Sequence, residues 1–433
     1  MLLASHGAMV SLKPFVALGS VALILSACAS AVSSSSPSDA GTDDGGATVD
    51  AGAPAEGGVD GSYENVYPAP HAAMPLVAPQ AGFSASILAN PKLVTIGYDS
   101  DTARQNLETF TDTLAGSDWW TATTSEYCQG QGGPCIGKPT IVAHVSLPTA
   151  PASLSPAEVE TYLNGLIASG TVPAPTTDVI YTFFFPSSVK LGEPGFEGCQ
   201  AFDGYHSMTG MLGGGGGGGT PDGGDQDAGP IPNVAYAVVA RCTNNISEST
   251  ITIAHELIEA ATDPDGYGYT VSDPAWGAFF YPEVGDLCDY EPMNKVGSYT
   301  VQSGFSNAAA KAGKNPCVPA VPGELYFNAA PAKSHVKLAV GESIQIAVMP
   351  YSEKGAGEFT LDVTDVDSLY GRPAKVEATV DQDTVHNGLP VTLTVKLVAQ
   401  PGTLNNGQRA AVVALRSTQG KVSHYWPLLV APK

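Results

Sequence analysis

A change of hydrophobic rhythm near Pro322 constrains the fold of this chain more than any other feature. Ahead of it, short apolar runs alternate with segments of helical spacing. Leu93 to Tyr98 reads as a strand, Thr102 to Ala115 as a helix, Thr140 to Leu147 as a strand, Pro156 to Ala168 as a helix and Val179 to Phe185 as a strand. Asn233 to Arg241 continues as a strand and Thr250 to Thr262 as a helix. Alternating strands and helices bury their apolar faces most simply as an α/β layer. Beyond Pro322 the helical spacing stops. The stretches His335 to Val340, Ser343 to Met349, Glu358 to Val366, Ala374 to Val380, Val391 to Val398, Ala410 to Arg416 and Val422 to Val430 are β-rich, with no helix among them. About seven strands in about 110 residues predict an immunoglobulin-like sandwich. The chain is therefore expected to be α+β, with an α/β domain over 62–323 and an all-β sandwich over 324–433.

Two stretches lack the apolar residues that packing needs. Residues 29–61 are mostly Ser, Gly, Ala, Asp and Thr, and 213–229 are Gly-rich; the first reads as a disordered acidic linker and the second as a disordered insert. Residues 1–28 have the layout of a lipoprotein signal peptide: Lys13, an apolar run from Phe15 to Leu25, then Leu25-Ser26-Ala27-Cys28. Small residues before a cysteine match a lipobox, at which Cys28 becomes lipidated and anchors the chain to a membrane. The expected location is the bacterial cell envelope, on the outer membrane, or the extracellular space.

Setting Cys28 aside leaves Cys128, Cys135, Cys199, Cys242, Cys288 and Cys317, an even number suited to disulfides in an oxidising compartment. Neighbour-to-neighbour pairing is the simplest connectivity, and a Cys199 to Cys242 bridge would clamp the base of the Gly-rich insert. A cysteine metal site fits less well, since no C-x-x-C spacing occurs. With 19 Lys+Arg against 42 Asp+Glu the formal charge is −23, which repels phosphate backbones and excludes a nucleic-acid partner held by them.

The chemistry-bearing stretch is His255-Glu256-Leu257-Ile258-Glu259, inside a segment that Ser249 or Thr250 can cap and Pro264 stops. On a helix, His255 and Glu259 project from one face, with Glu256 beside the same patch. In H-E-x-x-H zinc enzymes the side chains at i and i+4 hold the ion, and the intervening Glu deprotonates its water. Here Glu259 stands where the second His would be. The expected set is zinc held by His255, Glu259 and Glu283, with Glu256 as the catalytic base; Asp286, Asp265 and His206 are the other candidates for third ligand. His206 is read on a loop, and Asp263 as a group that caps or orients the helix end.

Trp119-Trp120, Gly204-Tyr205-His206, the His255 to Glu259 motif with Thr262-Asp263-Pro264, and Glu283-Val284-Gly285-Asp286-Leu287-Cys288, in that order, resemble the plant phosphate-induced, Exordium-like secreted proteins and their bacterial HExxE zincin-like relatives. The resemblance spans about Leu93 to Cys317 and implies an extracellular protein with a zincin-like active-site helix. This chain departs from it in its lipid-anchor signal, its Gly-rich insert and its β-rich C-terminal domain. Two functions follow as expectations. One is a lipid-anchored, zinc-dependent peptidase-like hydrolase acting on a peptide. The other is a non-catalytic adhesion lipoprotein that binds a cell-wall or extracellular polymer.

Overall fold

The computed structural model describes residues 63–81, 85–130, 132–210, 233–404 and 407–433. The signal peptide, the acidic linker, Cys28 and the Gly-rich insert lie outside these residues. Within them the chain is α+β, with more strands than helices.

The first unit is built on a five-stranded sheet. Its strands are β1 (Lys92–Tyr98), β2 (Thr140–Leu147), β3 (Val179–Phe185), β4 (Gly204–Met208) and β5 (Ala235–Ala240), in the spatial order β2-β1-β3-β5-β4. The first four in that order run parallel, and β4 is the antiparallel edge, with His206 opposite Ala237. Strands β3 and β5 are buried along their whole length, which is why their sequences are apolar or aromatic apart from Thr182. Helices α1 (Arg104–Gly116) and α4 (Ile246–Thr262) pack on one face of the sheet, through Leu107, Phe110, Leu114, Ile253 and Leu257. On the other face α3 (Pro156–Ala168) buries Val159, Leu163 and Ile167. The helix α2 (Asp118–Thr124), capped by Ser117, buries Trp119 and Trp120.

Three expectations are corrected. Helix α4 begins a turn earlier than Thr250, because the Asn245 side chain accepts from Ser247 N and supplies the cap. Gly204-Tyr205-His206 lies in a strand, not a loop, because β5 offers its free edge to it. Among the described residues after Pro322 there is one short helix, α6 (Val366–Leu369), capped by Asp365, where none was expected; α5 (Pro274–Phe279) precedes it in the first unit.

The second unit stacks two sheets. One has the order β6-β8-β12-β10, from β6 (Phe327–Pro331), β8 (Ser343–Ser352), β10 (Val376–Val380) and β12 (Val391–Leu397). The other has the order β7-β14-β13-β9-β11, from β7 (His335–Leu338), β9 (Phe359–Asp365), β11 (Thr384–Val385), β13 (Ala411–Gln419) and β14 (Val422–Pro432). Residues alternate in and out along β12, burying Val391, Leu393, Val395 and Leu397 between the sheets.

The two units meet through aromatic side chains. Trp276 of α5 meets Trp426 of β14 edge to face at 5.5 Å, and Phe279 and Tyr290 lie 5.4 and 5.1 Å from Tyr425. Disulfides join Cys128 to Cys135, Cys199 to Cys242 and Cys288 to Cys317, the neighbour-to-neighbour pattern. Such bonds persist in an oxidising compartment, in the envelope or outside the cell. Among the described residues no helix is long and apolar enough to cross a membrane.

Candidate metal centre

Helix α4 has no Gly or Pro between its Asn245 cap and Pro264, so 17 residues remain in register. Its inner stripe, Ile253, Ala254, Leu257, Ile258 and Ala261, is fully buried. The stripe fixes the rotation of the helix, so His255, Glu256 and Glu259 are turned toward β4 and the turn over 281–289. That turn is pinned by three contacts. Phe305 N donates to Val284 O, Gln302 Nε2 donates to Gly285 O, and Cys288 is bonded to Cys317.

The covering elements leave little clearance. A Cβ on Gly285 would stand 2.7 Å from Glu259 Oε1 and 3.0 Å from His255 Nδ1, and one on Gly204 would stand 2.7 Å from Glu256 Oε1. Glycine at both places lets backbone reach the carboxylates. Glu256 and Glu259 are consequently buried, at 4 and 3% exposure, although both are acids.

Two histidines and a ring of acids converge here. His255 Nε2 lies 3.1 Å from Glu259 Oε2 and 3.7 Å from Asp286 Oδ1, while its Nδ1 lies 3.2 Å from Gln302 Oε1. The Gln302 amide is oriented by its bond to Gly285 O, so its oxygen accepts from Nδ1–H. Nε2 then faces two carboxylates. His206 reaches in from β4: its Nε2 lies 3.1 Å from Asp263 O and 3.4 Å from Glu283 Oε1, and its Nδ1 lies 3.5 Å from both Glu256 Oε2 and Glu259 Oε2. With Nε2–H donating to the Asp263 carbonyl, Nδ1 also faces acceptors only. Asp286 N donates to Glu259 Oε1 at 3.1 Å, leaving Oε2 of that residue for the histidines.

Burial and mutual repulsion disturb every ionisation in the centre. Burial raises Glu256, Glu283 and Asp286 above the ordinary carboxylate range, with the neighbouring acids adding to it and the histidines opposing. Burial alone would do the same to Glu259, but His255 and His206 beside it outweigh burial and hold it below that range. Both imidazoles would be lowered by burial; the surrounding acids overcome that and hold them well above the usual value. Asp289, facing His255 Nδ1 at 3.6 Å, is pushed up to about 6 by burial. Asp263 is pushed up to about 7, chiefly by burial and then by Glu283. Among the described residues no Lys or Arg pairs with any of these acids.

Two sets of ligand atoms, each within 4.8 Å of one another, meet at Glu259: His255, Glu259 and Asp286 on one side, His206, Glu259 and Glu283 on the other. The residues named from the sequence are therefore brought to one place, but divided. Glu283 groups with His206, whereas Asp286 is the acid that groups with His255. Asp265 is in neither set; its side chain accepts from Tyr267 N. Sequence reasoning missed Asp289 and Gln302. Gln302 is 3% exposed, yet its neighbours Thr300, Ser303 and Ser306 are polar too, so nothing in the sequence singles it out. Mixed imidazole and carboxylate donors fit zinc and other divalent transition metals, and gaps bounded by acceptors alone need a proton or a cation between them.

A third group, Glu291, Glu324 and His424, lies at the boundary of the two units, with His424 Nδ1 2.8 Å from Glu291 Oε1. Cys199, Asp203 and Cys242 also cluster, but the two sulfurs are consumed in a disulfide.

No family model matches this chain, and no curated protein does. Solved structures that match include a conjugative transposon lipoprotein from Bacteroides eggerthii, at 10% identity over 24% of this chain and 95% of that one, with a TM-score of 0.19. The periplasmic chaperone SfaE matches at 15% identity over 24% of this chain and 57% of that one, TM-score 0.19. Domain 1 of VCBP3 from Branchiostoma floridae matches at 6% identity over 26% and 98%, TM-score 0.17. At such TM-scores these likenesses carry no argument about function.

Proposed function

We propose that this chain is an exported, lipid-anchored zinc hydrolase of zincin-like type, acting on peptide substrates, with His255, Glu259 and Asp286 as the zinc ligands and Glu256 as the general base. Glu283, the acid favoured from sequence as third ligand, is assigned to the neighbouring set. One observation carries the reading: two imidazoles and a larger number of carboxylates are buried together against α4, and among the described residues no Lys or Arg pairs with those acids. Burying such charge is costly without a counter-ion. The i and i+4 spacing of His255 and Glu259, and the antiparallel edge strand lying over them, support the likeness to zincins.

Zinc held there supplies Lewis acidity and lowers the pKa of bound water. The remaining work falls to the chain's own residues. Gln302 holds the imidazole of His255 by Nδ1, which leaves Nε2 basic and aimed inward. Glu256, buried beside the same helix face and raised by that burial, is the residue placed to accept the proton of the attacking water.

The test is Glu256→Gln, measured for peptide hydrolysis and for zinc content on the same preparation. Hydrolysis is expected to fall by about 10²-fold or more with zinc retained. A wild-type chain that carries zinc and hydrolyses peptides no faster than Glu256→Gln would support the adhesion reading instead.

A further inference from the structure

We propose that Glu259 is a bridging carboxylate and that the centre takes two divalent cations, the second held by His206, Glu259 and Glu283. The inference rests on the zinc site of the preceding section and extends it. An ion with bonds of about 2.0–2.2 Å keeps all its ligands within about 4.4 Å of each other. The centre instead divides into two sets with one histidine and one private acid each, sharing only Glu259. Glu259 is posed for this role. Its Oε1 is occupied by Asp286 N–H, and its Oε2 lies between the two imidazoles, 3.1 Å from His255 Nε2 and 3.5 Å from His206 Nδ1.

An independent observation points to a ligand on the His206 side. Glu256 is 4% exposed, and among the described residues its Oε2 has no hydrogen-bond partner, its nearest polar neighbour being His206 Nδ1 at 3.5 Å. A buried carboxylate oxygen without a donor is costly to keep, and a cation with its water beside His206 would satisfy it. Paired ions about 3.5–4 Å apart hold both the attacking and the leaving oxygen of a hydrolysed bond, so the second site places this chain among two-metal hydrolases.

The experiment loads the metal-free full chain with excess Zn2+, removes unbound ion by gel filtration, and counts zinc per chain by elemental analysis. Two ions are expected in the wild type, and one each in His206→Ala and His255→Ala. Loading with Co2+ instead should give a magnetically coupled pair in the wild type and an uncoupled ion in His206→Ala. One ion in the wild type, unaffected by His206→Ala and lost in His255→Ala, overturns the second site and leaves the first standing. None in the wild type overturns both. Two ions that survive both substitutions lie elsewhere, and also overturn the proposal. Should His206→Ala fail to fold, Glu283→Gln keeps the side-chain shape and carries the same expectation of a single ion.

Discussion

Asp365 in the sandwich and Glu256 in the first unit are both acids at 5% exposure or less, yet their surroundings are opposite. Asp365 meets donors only. Its Oδ1 accepts from Ser368 N at 3.2 Å, and its Oδ2 from Lys375 N at 3.0 Å and Val376 N at 2.8 Å. It closes a helix N-terminus and ties β10 to the end of β9, and needs nothing from outside. Glu256 meets His206 and other carboxylates, and one of its oxygens finds no donor. Asp365, buried for the fold, is enclosed by N–H groups, whereas Glu256 faces an imidazole and neighbouring carboxylates.

The contrast makes different predictions for one chemical change. Asp365→Asn replaces an accepting oxygen with an NH2 that must face backbone donors, so the chain should lose about 3 kcal/mol of stability, read by urea unfolding. A smaller effect tests how the centre is held. Gln302→Ala removes the partner of His255 Nδ1 and should weaken zinc binding about 10- to 100-fold without unfolding the chain, measured by competition with a chelating dye. The smallest is Asp286→Asn. It removes a carboxylate whose ionisation burial and Glu259 oppose, so zinc affinity should fall while the metal-free chain unfolds within about 1 kcal/mol of the wild type. A loss of stability like that of Asp365→Asn would break the distinction between the two acids.

Much of this arrangement was legible in the sequence, for local reasons. Val179–Phe185 is apolar or aromatic but for Thr182 because both its faces are covered, and Pro156–Ala168 starts on a proline, with Ser155 and Glu158 forming a capping box around it. The His255 and Glu259 pair followed from helical spacing alone. What was not legible depends on pairing over distance. Strand β4 is five half-buried residues of mixed polarity, and its partner β5 lies beyond the insert, so its sequence reads as a loop until the sheet edge is known. The division of Glu283 and Asp286 between two histidines follows from the path of the 281–289 turn, set by Gln302, Val284 and the Cys288–Cys317 bridge. No spacing rule encodes that path.

The central claim is that the acids along α4 face one another because a cation belongs between them. Thermal unfolding of the metal-free full chain, with and without zinc, tests it most directly. Zinc at about 100 times its dissociation constant should stabilise the chain by about 2.7 kcal/mol, raising the melting temperature by several degrees, and Glu259→Gln should abolish the rise. A melting temperature that zinc leaves unchanged in the wild type, or raises equally in Glu259→Gln, would contradict the account.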